Sequence, residues 1–393
     1  MANFHYNFFG GPCVGPGAPL AGFPNPIALT PAQLINAQLR LGIYPGGWVA
    51  DEINWRIYAF CIGCIAVAGG GGPAIPGVPP GVGVAVGAPV AGGAANLPVS
   101  PVGAGVDATE KGQIGYHMGT AVGGSILPFM ATVGPLPATQ WYSFHLSRAI
   151  INGGAFTLAG GAPDIVAFAV QPTGPGAATV HNWVVWENKG HCVNFGGFAA
   201  IAPALAQAQT LLNMTSIPGN PALGIVGGTP VAPPWVPNTH IASQVDTFFG
   251  NFRVQTIDPP TKSRKSITLS PRQSDAFFRA YYGFLIEAIK RRRTQRRYDG
   301  RLFQTAEYAK KIRIGLDDRI YRSLGKAGLS RAVAKATGQG YKNSKPETIY
   351  VDPTGISVEI PKSWRSGPNT KANSSIMKAL HDLANKIRPG GSK

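Results

Sequence analysis

Apolar residues follow two different spacings along this chain, and each spacing predicts a different element. Short apolar runs bounded by glycine and proline, at Pro163 to Val170 and at His181 to Gly190, predict two neighbouring strands. Apolar residues at helical spacing from Phe277 to Ile289 predict the buried stripe of a helix. Ser270 as its N-cap and Pro271 at its first position give this helix a strong start.

The middle of the chain alternates between these two patterns. Helices are predicted from 107 to about 127 and from 202 to 213, strands at 240–245 and 251–257, and either element at 141–151. Glycines recur every fourth residue in the first of these helices, at Gly115, Gly119 and Gly123, and give it a smooth face for packing on a sheet. The order helix, strands, helix, strand indicates an α/β or α+β domain with a mixed sheet flanked by helices.

The chain before this domain has an unusual composition, with most of the 52 glycines and 35 prolines lying in the first 240 positions. Thr30 and Pro31 begin a predicted helix that continues to Leu41. Residues 57–68 form an apolar run that is short for a transmembrane helix, and a Gly/Pro tract follows to about 106. This region fits either a tether with a small helical cap or a segment that meets a membrane or a delivery partner.

The chain after the domain is expected to be mostly helical. Helices are predicted within 304–324, at 329–337 and at 371–387, and a hairpin about the turn Asp352-Pro353-Thr354-Gly355. The predicted organisation is therefore an apolar N-terminal region at 1–106, a core domain at 107–260 and a basic accessory domain at 261–393. Because no secretory signal opens the chain, a cytoplasmic location is expected, with export by a non-classical route left open.

Charge separates the last third of the chain from the rest. The formal net charge is +17, and the residues beyond 261 hold 29 lysines and arginines against 10 acidic residues. A surplus of this kind favours polyanions, with nucleic acid, DNA above all, ahead of an acidic membrane surface. A solvated helix end is the alternative interpretation. The predicted phosphate contacts form the end of the same helix, which is expected to continue from Ser270 through Arg297: Lys290, Arg291, Arg292, Arg293, Arg296 and Arg297.

Candidate chemistry lies on the two central strands. Asp164 stands at the start of the first strand, and Glu187 and Lys189 stand near the end of the second. Alternate residues of a strand share a face, so Glu187 and Lys189 point the same way. Residues 1–261 hold only 8 acidic residues, so carboxylates on adjacent apolar strands are conspicuous. The pattern predicts a divalent-metal site with a lysine beside it.

This arrangement resembles the PD-(D/E)xK nuclease superfamily, which has the restriction-endonuclease-like fold. Pro163-Asp164 and Glu187-Asn188-Lys189 correspond to its two strand motifs. The resemblance implies a metal-dependent nuclease, with Glu110 as the glutamate of the preceding helix and Gln207 or Gln209 as the glutamine of the following one. A tyrosine four residues after either glutamine is lacking. The wider run to Asp258-Pro259-Pro260 also resembles a group of bacterial proteins built on this core.

The expected cofactor is Mg²⁺, with Mn²⁺ as an alternative. Asp164 and Glu187 would bind it with the Asn188 carbonyl, and Lys189 would assist the attacking water. Glu110 would hold a second metal ion or a metal-bound water, or else only cap its helix. Three alternatives stay open: a degenerate nuclease fold that binds nucleic acid without cutting it, a toxin-like nuclease effector with an N-terminal delivery segment, and a structural Glu–Lys pair in an unrelated sheet.

Overall fold

The structure is a computed structural model of the chain. It describes residues 2–9, 27–41, 116–117, 119–121, 123–125, 139–173, 175–191, 201–220, 225–226, 229–230, 235–246, 253–257, 266–308, 311–343, 345 and 348–361. The predicted apolar run at 57–68, the helix start at 107–110 and the helix at 371–387 lie outside these residues. None of the described helices is both long and apolar enough to cross a membrane.

The described elements alternate along the chain. The strands are β1 (Ala2–Phe9), β2 (Ile27–Leu29), β3 (Gln140–His145), β4 (Ala155–Leu158), β5 (Ile165–Thr173), β6 (Ala177–His191), β7 (Leu211–Ser216), β8 (Ile225–Val226), β9 (Thr229–Pro230), β10 (Thr239–Asp246), β11 (Arg253–Ile257), β12 (Ile267–Leu269), β13 (Arg293–Tyr298), β14 (Arg301–Glu307), β15 (Arg313–Asp317), β16 (Ile349–Val351) and β17 (Ile356–Glu359). The helices are α1 (Pro31–Leu41), α2 (Leu146–Ile151), α3 (Ile201–Gln209), α4 (Pro271–Lys290), α5 (Asp318–Ser323) and α6 (Leu329–Thr337). Residues 116–117, 119–121 and 123–125 are also helical and are called the glycine segment here.

The large sheet is mixed, as the element order predicts. Its eight described strands run in the order β2-β1-β11-β10-β6-β5-β3, with β12 also paired to β6. Strands β3, β5 and β6 are antiparallel neighbours, whereas β6 and β10 are parallel. Helix α3 lies in the connection between those parallel strands and packs on both, as a parallel crossover requires. Strands from before residue 106 and after residue 261 also join this sheet.

Helix α4 connects the large sheet with a second sheet. Its predicted stripe is buried, and Tyr142 of β3 makes edge-to-face contacts with Phe278 and Tyr281 at ring-centre distances of 5.3 and 4.8 Å. On its other side, the Tyr282 hydroxyl donates a 2.7 Å hydrogen bond to the carbonyl of Thr354, in the turn between β16 and β17 of the second sheet. The buried apolar residues of α1, both sheets and α4 form one continuous cluster. Ser270 caps α4 as predicted, and it forms a capping box with Gln273.

The C-terminal part, predicted to be mostly helical, also contains a second sheet, of whose strands β13, β14 and β15 were not predicted. Within residues 266–361 the second sheet is antiparallel and five-stranded, in the order β13-β14-β15-β17-β16. Helix α4 ends at Lys290, so the basic residues from Arg293 onward lie on a strand and not on a helix end. The reason is the Asp299-Gly300 turn: both residues have positive φ, 46° and 81°, which is the geometry of a two-residue hairpin turn.

Other predicted elements agree with the structure or are corrected by it. Helices α1 and α6 and the hairpin β16–β17 lie where they were predicted. The ambiguous stretch 141–151 is a strand followed by a helix. Predicted helices within 304–324 and at 202–213 were partly wrong, since the first range contains the end of β14 and all of β15 before α5, and the second helix ends at Gln209, before β7.

Candidate active site

The ends of β5 and β6 bring the two predicted carboxylates together. Asp164 directly precedes β5, whose first residue, Ile165, pairs with Trp186 of the antiparallel β6. Glu187 is the next residue of β6 and therefore lies beside Asp164. The apolar residues around them drive both strands into the centre of the sheet, where Ile165 and Trp186 are fully buried.

Two backbone hydrogen bonds hold the carboxylates in place. The N–H of Asp164 donates to Glu187 Oε2 at 2.9 Å. The N–H of Asn188 donates to Asp164 Oδ2 at 3.2 Å. Each carboxylate is thus fixed by the backbone of the opposite segment, and the positions of both depend on the pairing of β5 with β6.

Lys189 extends toward the same point. Its Nζ donates hydrogen bonds to Glu187 Oε1 and, at 2.9 Å, to Gln207 Oε1. Gln207 in turn donates from Nε2 to the Ala162 carbonyl at 2.8 Å. Gln207 therefore connects α3, the lysine and the loop that precedes Asp164.

Burial and mutual repulsion set the electrostatics of the pair. Glu187 is fully buried, whereas 35 % of the Lys189 side chain is exposed. Burial, together with the charge of Asp164, raises the pKa of Glu187 to about 7 against the opposing effect of Lys189. Burial also raises the pKa of Asp164 to about 6, although the Asn188 hydrogen bond and the charge of Lys189 act in the other direction.

The opposite face of β6 packs against the glycine segment. A Cβ on Gly123 would lie 2.1 Å from Oδ1 of Asn188, and one on Gly119 would lie 3.0 Å from the Gly190 nitrogen. The absence of side chains at these two glycines therefore lets the segment approach the strand that carries the site, as the four-residue glycine spacing predicts.

Two further residues support Asn188 from β6 and β10. The Trp186 indole N–H donates to the Ser243 hydroxyl at 2.8 Å, and that hydroxyl donates to Asn188 Oδ1. Ser243 is fully buried and pairs with Asn188 in the parallel ladder. Sequence reasoning missed Ser243 because nothing in its neighbourhood marks which strand it would pair with.

The other predicted site residues have different positions. Gln209, the alternative to Gln207, is exposed. Glu110 lies outside the described residues, so its predicted role stays a prediction. Within the part of the chain that the structure describes, no three His, Cys, Asp or Glu residues are grouped as a metal centre.

The predicted basic cluster is exposed throughout. Lys290 ends α4, Arg291 and Arg292 form the following turn, and the remaining members lie on β13. Strand β13 forms one edge of the second sheet among the described strands, so its outer side is open to a partner. The Arg292 guanidinium lies 5.9 Å from the centre of the Tyr308 ring. The cluster is a strip of positive charge along a sheet edge.

The chain matches no protein-family model, and no match was found among curated proteins or solved structures.

Proposed function

We propose that this protein is a metal-dependent nuclease that hydrolyses phosphodiester bonds in DNA or RNA. One observation carries the proposal: Glu187 accepts hydrogen bonds from both the Asp164 N–H and the Lys189 amine, so the three residues lie together, and Gln207 bonds the same amine. A carboxylate pair with an adjacent lysine is an arrangement suited to holding a hard cation and a phosphate together.

The donor set fits a divalent cation of the Mg²⁺ class. Mg²⁺ takes oxygen ligands and is usually held by one or two carboxylates. The N–H of Asn188 points toward Asp164, and the carbonyl of the same residue leaves the strand on that side, so it is a candidate third ligand. A bound Mg²⁺ or Mn²⁺ would neutralise charge on the phosphate and activate water.

The chain's own residues have distinct proposed roles around that cation. Asp164 and Glu187 would hold it, with the Glu187 side chain fully buried and the Asp164 side chain half-buried at the start of β5. Lys189, which is partly exposed, faces the phosphate or the attacking water and assists removal of its proton. Gln207 fixes the position of the Lys189 amine and is a positioning residue.

The restriction-endonuclease-like fold is part of the same proposal. It is supported by an aspartate at the start of one strand, Glu-x-Lys on the antiparallel neighbour, and a glutamine on the next helix that contacts the lysine. The mixed sheet is consistent with it. The basic cluster on β13 is proposed to bind the phosphate backbone, because exposed arginines along an open edge suit a polyanion.

A non-catalytic nucleic-acid-binding protein on a degenerate nuclease fold is the second candidate. One observation favours it: the Lys189 amine is already paired with Glu187, and no third carboxylate joins the two in the described residues. The proposal of a toxin-like effector rests on residues 1–106, most of which lie outside the described part of the chain.

Cleavage assays separate the two candidates. The full chain is incubated with plasmid DNA or RNA, with Mg²⁺ or with a chelator, and strand scission is followed on gels. We expect scission that requires the metal and disappears in Asp164→Asn and Glu187→Gln. Glu287→Gln removes the same kind of charge from an exposed position on α4 and serves as the matched control. Scission that survives Glu187→Gln would reject the proposed site.

A further inference from the structure

A groove of about 520 Å³ lies between the N-terminal ends of α4 and α6 and the turn that joins β5 to β6. Three arginines line it: Arg272, Arg279 and Arg331. Gly176 of the β5–β6 turn also lines it. Gly176 lies in the turn just before β6, and Glu187 lies near the other end of that strand. Because a strand rises about 3.3 Å per residue, the groove lies on the order of 30 Å from the candidate active site. It is a separate site.

The groove contains one carboxylate, Asp275, and both of its oxygens already accept hydrogen bonds from the chain. Its Oδ2 accepts from the Gly328 N–H at 2.7 Å, and its Oδ1 accepts from the N–H and hydroxyl of Ser330 at 2.8 and 2.7 Å. Burial alone would raise the pKa of Asp275, but these hydrogen bonds and the charge of Arg279 lower it, so the group is ionised at neutral pH. Asp275 is the cap of α6 and balances only one of the three arginines.

The arginines keep N–H donors that make no hydrogen bond within the described residues. Arg331 donates from Nε to the Pro175 carbonyl at 2.8 Å, which leaves its two terminal nitrogens without a partner among the described residues. Arg279 is fixed by the carbonyls of Leu324 and Lys326 at 3.2 and 2.9 Å. Arg272 has no side-chain partner in the described part of the chain. Planar guanidinium groups with free donors suit the oxygens of a phosphate.

Two of these arginines lie at the N-terminal ends of their helices. Arg272 lies in the first turn of α4, which holds no acidic residue, and Arg331 lies in the first turn of α6, whose N-terminus receives the Asp275 carboxylate as its only described negative partner. A cation in the first turn opposes the helix dipole, which favours negative charge there. The positive charge in the groove is therefore not favoured by folding alone. A bound anion would offset the unfavourable interaction of these arginines with the helix dipoles.

We propose that this groove binds a phosphate group through Arg272, Arg331 and Arg279. The inference goes beyond the proposed function, since it uses none of the residues of the candidate active site. The groove is larger than a phosphate ion, so the group would belong either to a small phosphorylated compound or to a nucleic acid strand.

The test is titration of the full chain with inorganic phosphate at low salt, in the presence of a chelator, by calorimetry. Removing one charged hydrogen-bonding partner weakens binding by about tenfold or more, so we expect that loss in Arg272→Gln and in Arg331→Gln. Lys335→Gln removes one exposed charge from α6 away from the groove and should bind as the unmodified chain does. Because Arg272 is exposed and has no described partner, Arg272→Gln keeps the test valid if Arg331→Gln fails to fold.

A second arm identifies the source of the phosphate. A short single-stranded oligonucleotide is titrated into a chain that carries Arg293→Gln, Arg296→Gln and Arg297→Gln, so that binding on β13 is removed. Dependence on Arg272 that is seen with inorganic phosphate but not with the oligonucleotide would indicate a small phosphorylated compound, and dependence seen with the oligonucleotide would indicate a strand. If neither probe distinguishes Arg272→Gln and Arg331→Gln from Lys335→Gln, the inference is overturned.

Discussion

Asp164 and Glu187 are joined through the backbone: the N–H of Asp164 donates a 2.9 Å hydrogen bond to Oε2 of Glu187. Asn188 makes the reciprocal bond to Oδ2 of Asp164 at 3.2 Å. Because both donors are backbone groups at the end of paired strands, the register of β5 and β6 fixes the carboxylates. A slip of one residue would turn Glu187 to the other face of the sheet. The chemistry of the site is therefore tied to correct pairing of its two strands.

Replacement of Gln207 tests whether the position of Lys189 matters for cleavage. In Gln207→Leu the lysine loses its 2.9 Å partner while the packing volume is nearly kept. We expect kcat for cleavage to fall by about 10- to 100-fold with little change in KM, since small displacements of a reacting group have effects of that size.

Gln209→Leu is the matched control for this variant, because Gln209 lies on the same helix and is exposed. It should cleave as the unmodified chain does. Equal rates in the two variants, with equal unfolding midpoints, would show that Gln207 has no positioning role.

Much of the candidate site could be predicted because its signals are local. Apolar runs around Asp164 and Glu187 predict strands, and the two-residue period places Glu187 and Lys189 on one face. The choice between Gln207 and Gln209 could not be made from the sequence, since it depends on the rotation of α3 against β6. Ser243 could not be predicted for a similar reason: its partner, Asn188, lies 55 residues earlier, on a strand that is joined to β10 by a crossover connection.

The second sheet shows that a local preference for helix can be outweighed by a turn and by long-range strand pairing. Six basic residues near Lys290 suggest an extended helix end, because lysine and arginine are good helix formers. Asp299-Gly300, however, turns the chain sharply, and β13 pairs with β14 from Arg293 to Tyr298. Long-range pairing of β14 with β15 and of β15 with β17 then completes the sheet. The Asp-Gly turn was the available signal, and the helical interpretation neglected it.

Gly123→Ala tests the close approach of the glycine segment to β6. The new methyl group would lie 2.1 Å from Asn188 Oδ1, and the Asn188 side chain is buried and held by Ser243, so its displacement breaks that hydrogen bond. We expect the free energy of unfolding to fall by about 1–3 kcal/mol, as for other overpacked interiors.

Gly283→Ala provides the opposite case for the same chemical change. Gly283 lies within α4, and a Cβ there would meet nothing within 4 Å. Alanine should therefore stabilise the helix by about 0.5–1 kcal/mol. Urea denaturation of both variants measures the difference. A Gly123→Ala protein as stable as Gly283→Ala would contradict the close packing.

Neutralising the basic residues of β13 tests its proposed contact with nucleic acid. In the triple variant Arg293→Gln, Arg296→Gln and Arg297→Gln, up to three phosphate contacts are lost. The slope of log affinity against log salt should then be shallower by up to about 3, since each phosphate contact contributes about 0.9 for duplex DNA. Fluorescence anisotropy with a labelled duplex measures the affinity at each salt concentration, and these affinities give the slope.

The control for this variant removes the same charge from other exposed positions. Its three substitutions to glutamine are at Lys335, Lys342 and Lys345. We expect the control to lower affinity only slightly and to keep the slope. If both triple variants change the slope equally, then net charge and not the β13 edge determines binding.

Asp275→Asn tests the cap that joins α4 to α6. Both carboxylate oxygens accept hydrogen bonds from Gly328 or Ser330, and an amide NH₂ in place of one oxygen would face a donor instead of accepting from it. At neutral pH we expect the free energy of unfolding to fall by about 1–2 kcal/mol, whereas Glu287→Gln, at an exposed position on α4, should have little effect.

The pH dependence of this difference has a definite sign. Because the pKa of Asp275 is lower in the folded chain than its ordinary value of 3.8, its contribution is present above that value. As the pH falls through the lowered pKa, the folded carboxylate is protonated and the contribution is lost. Urea denaturation of the unmodified chain and of Asp275→Asn should therefore converge in acid. A stability difference that stays constant or grows as the pH falls would show that the charge of Asp275 does not stabilise the start of α6.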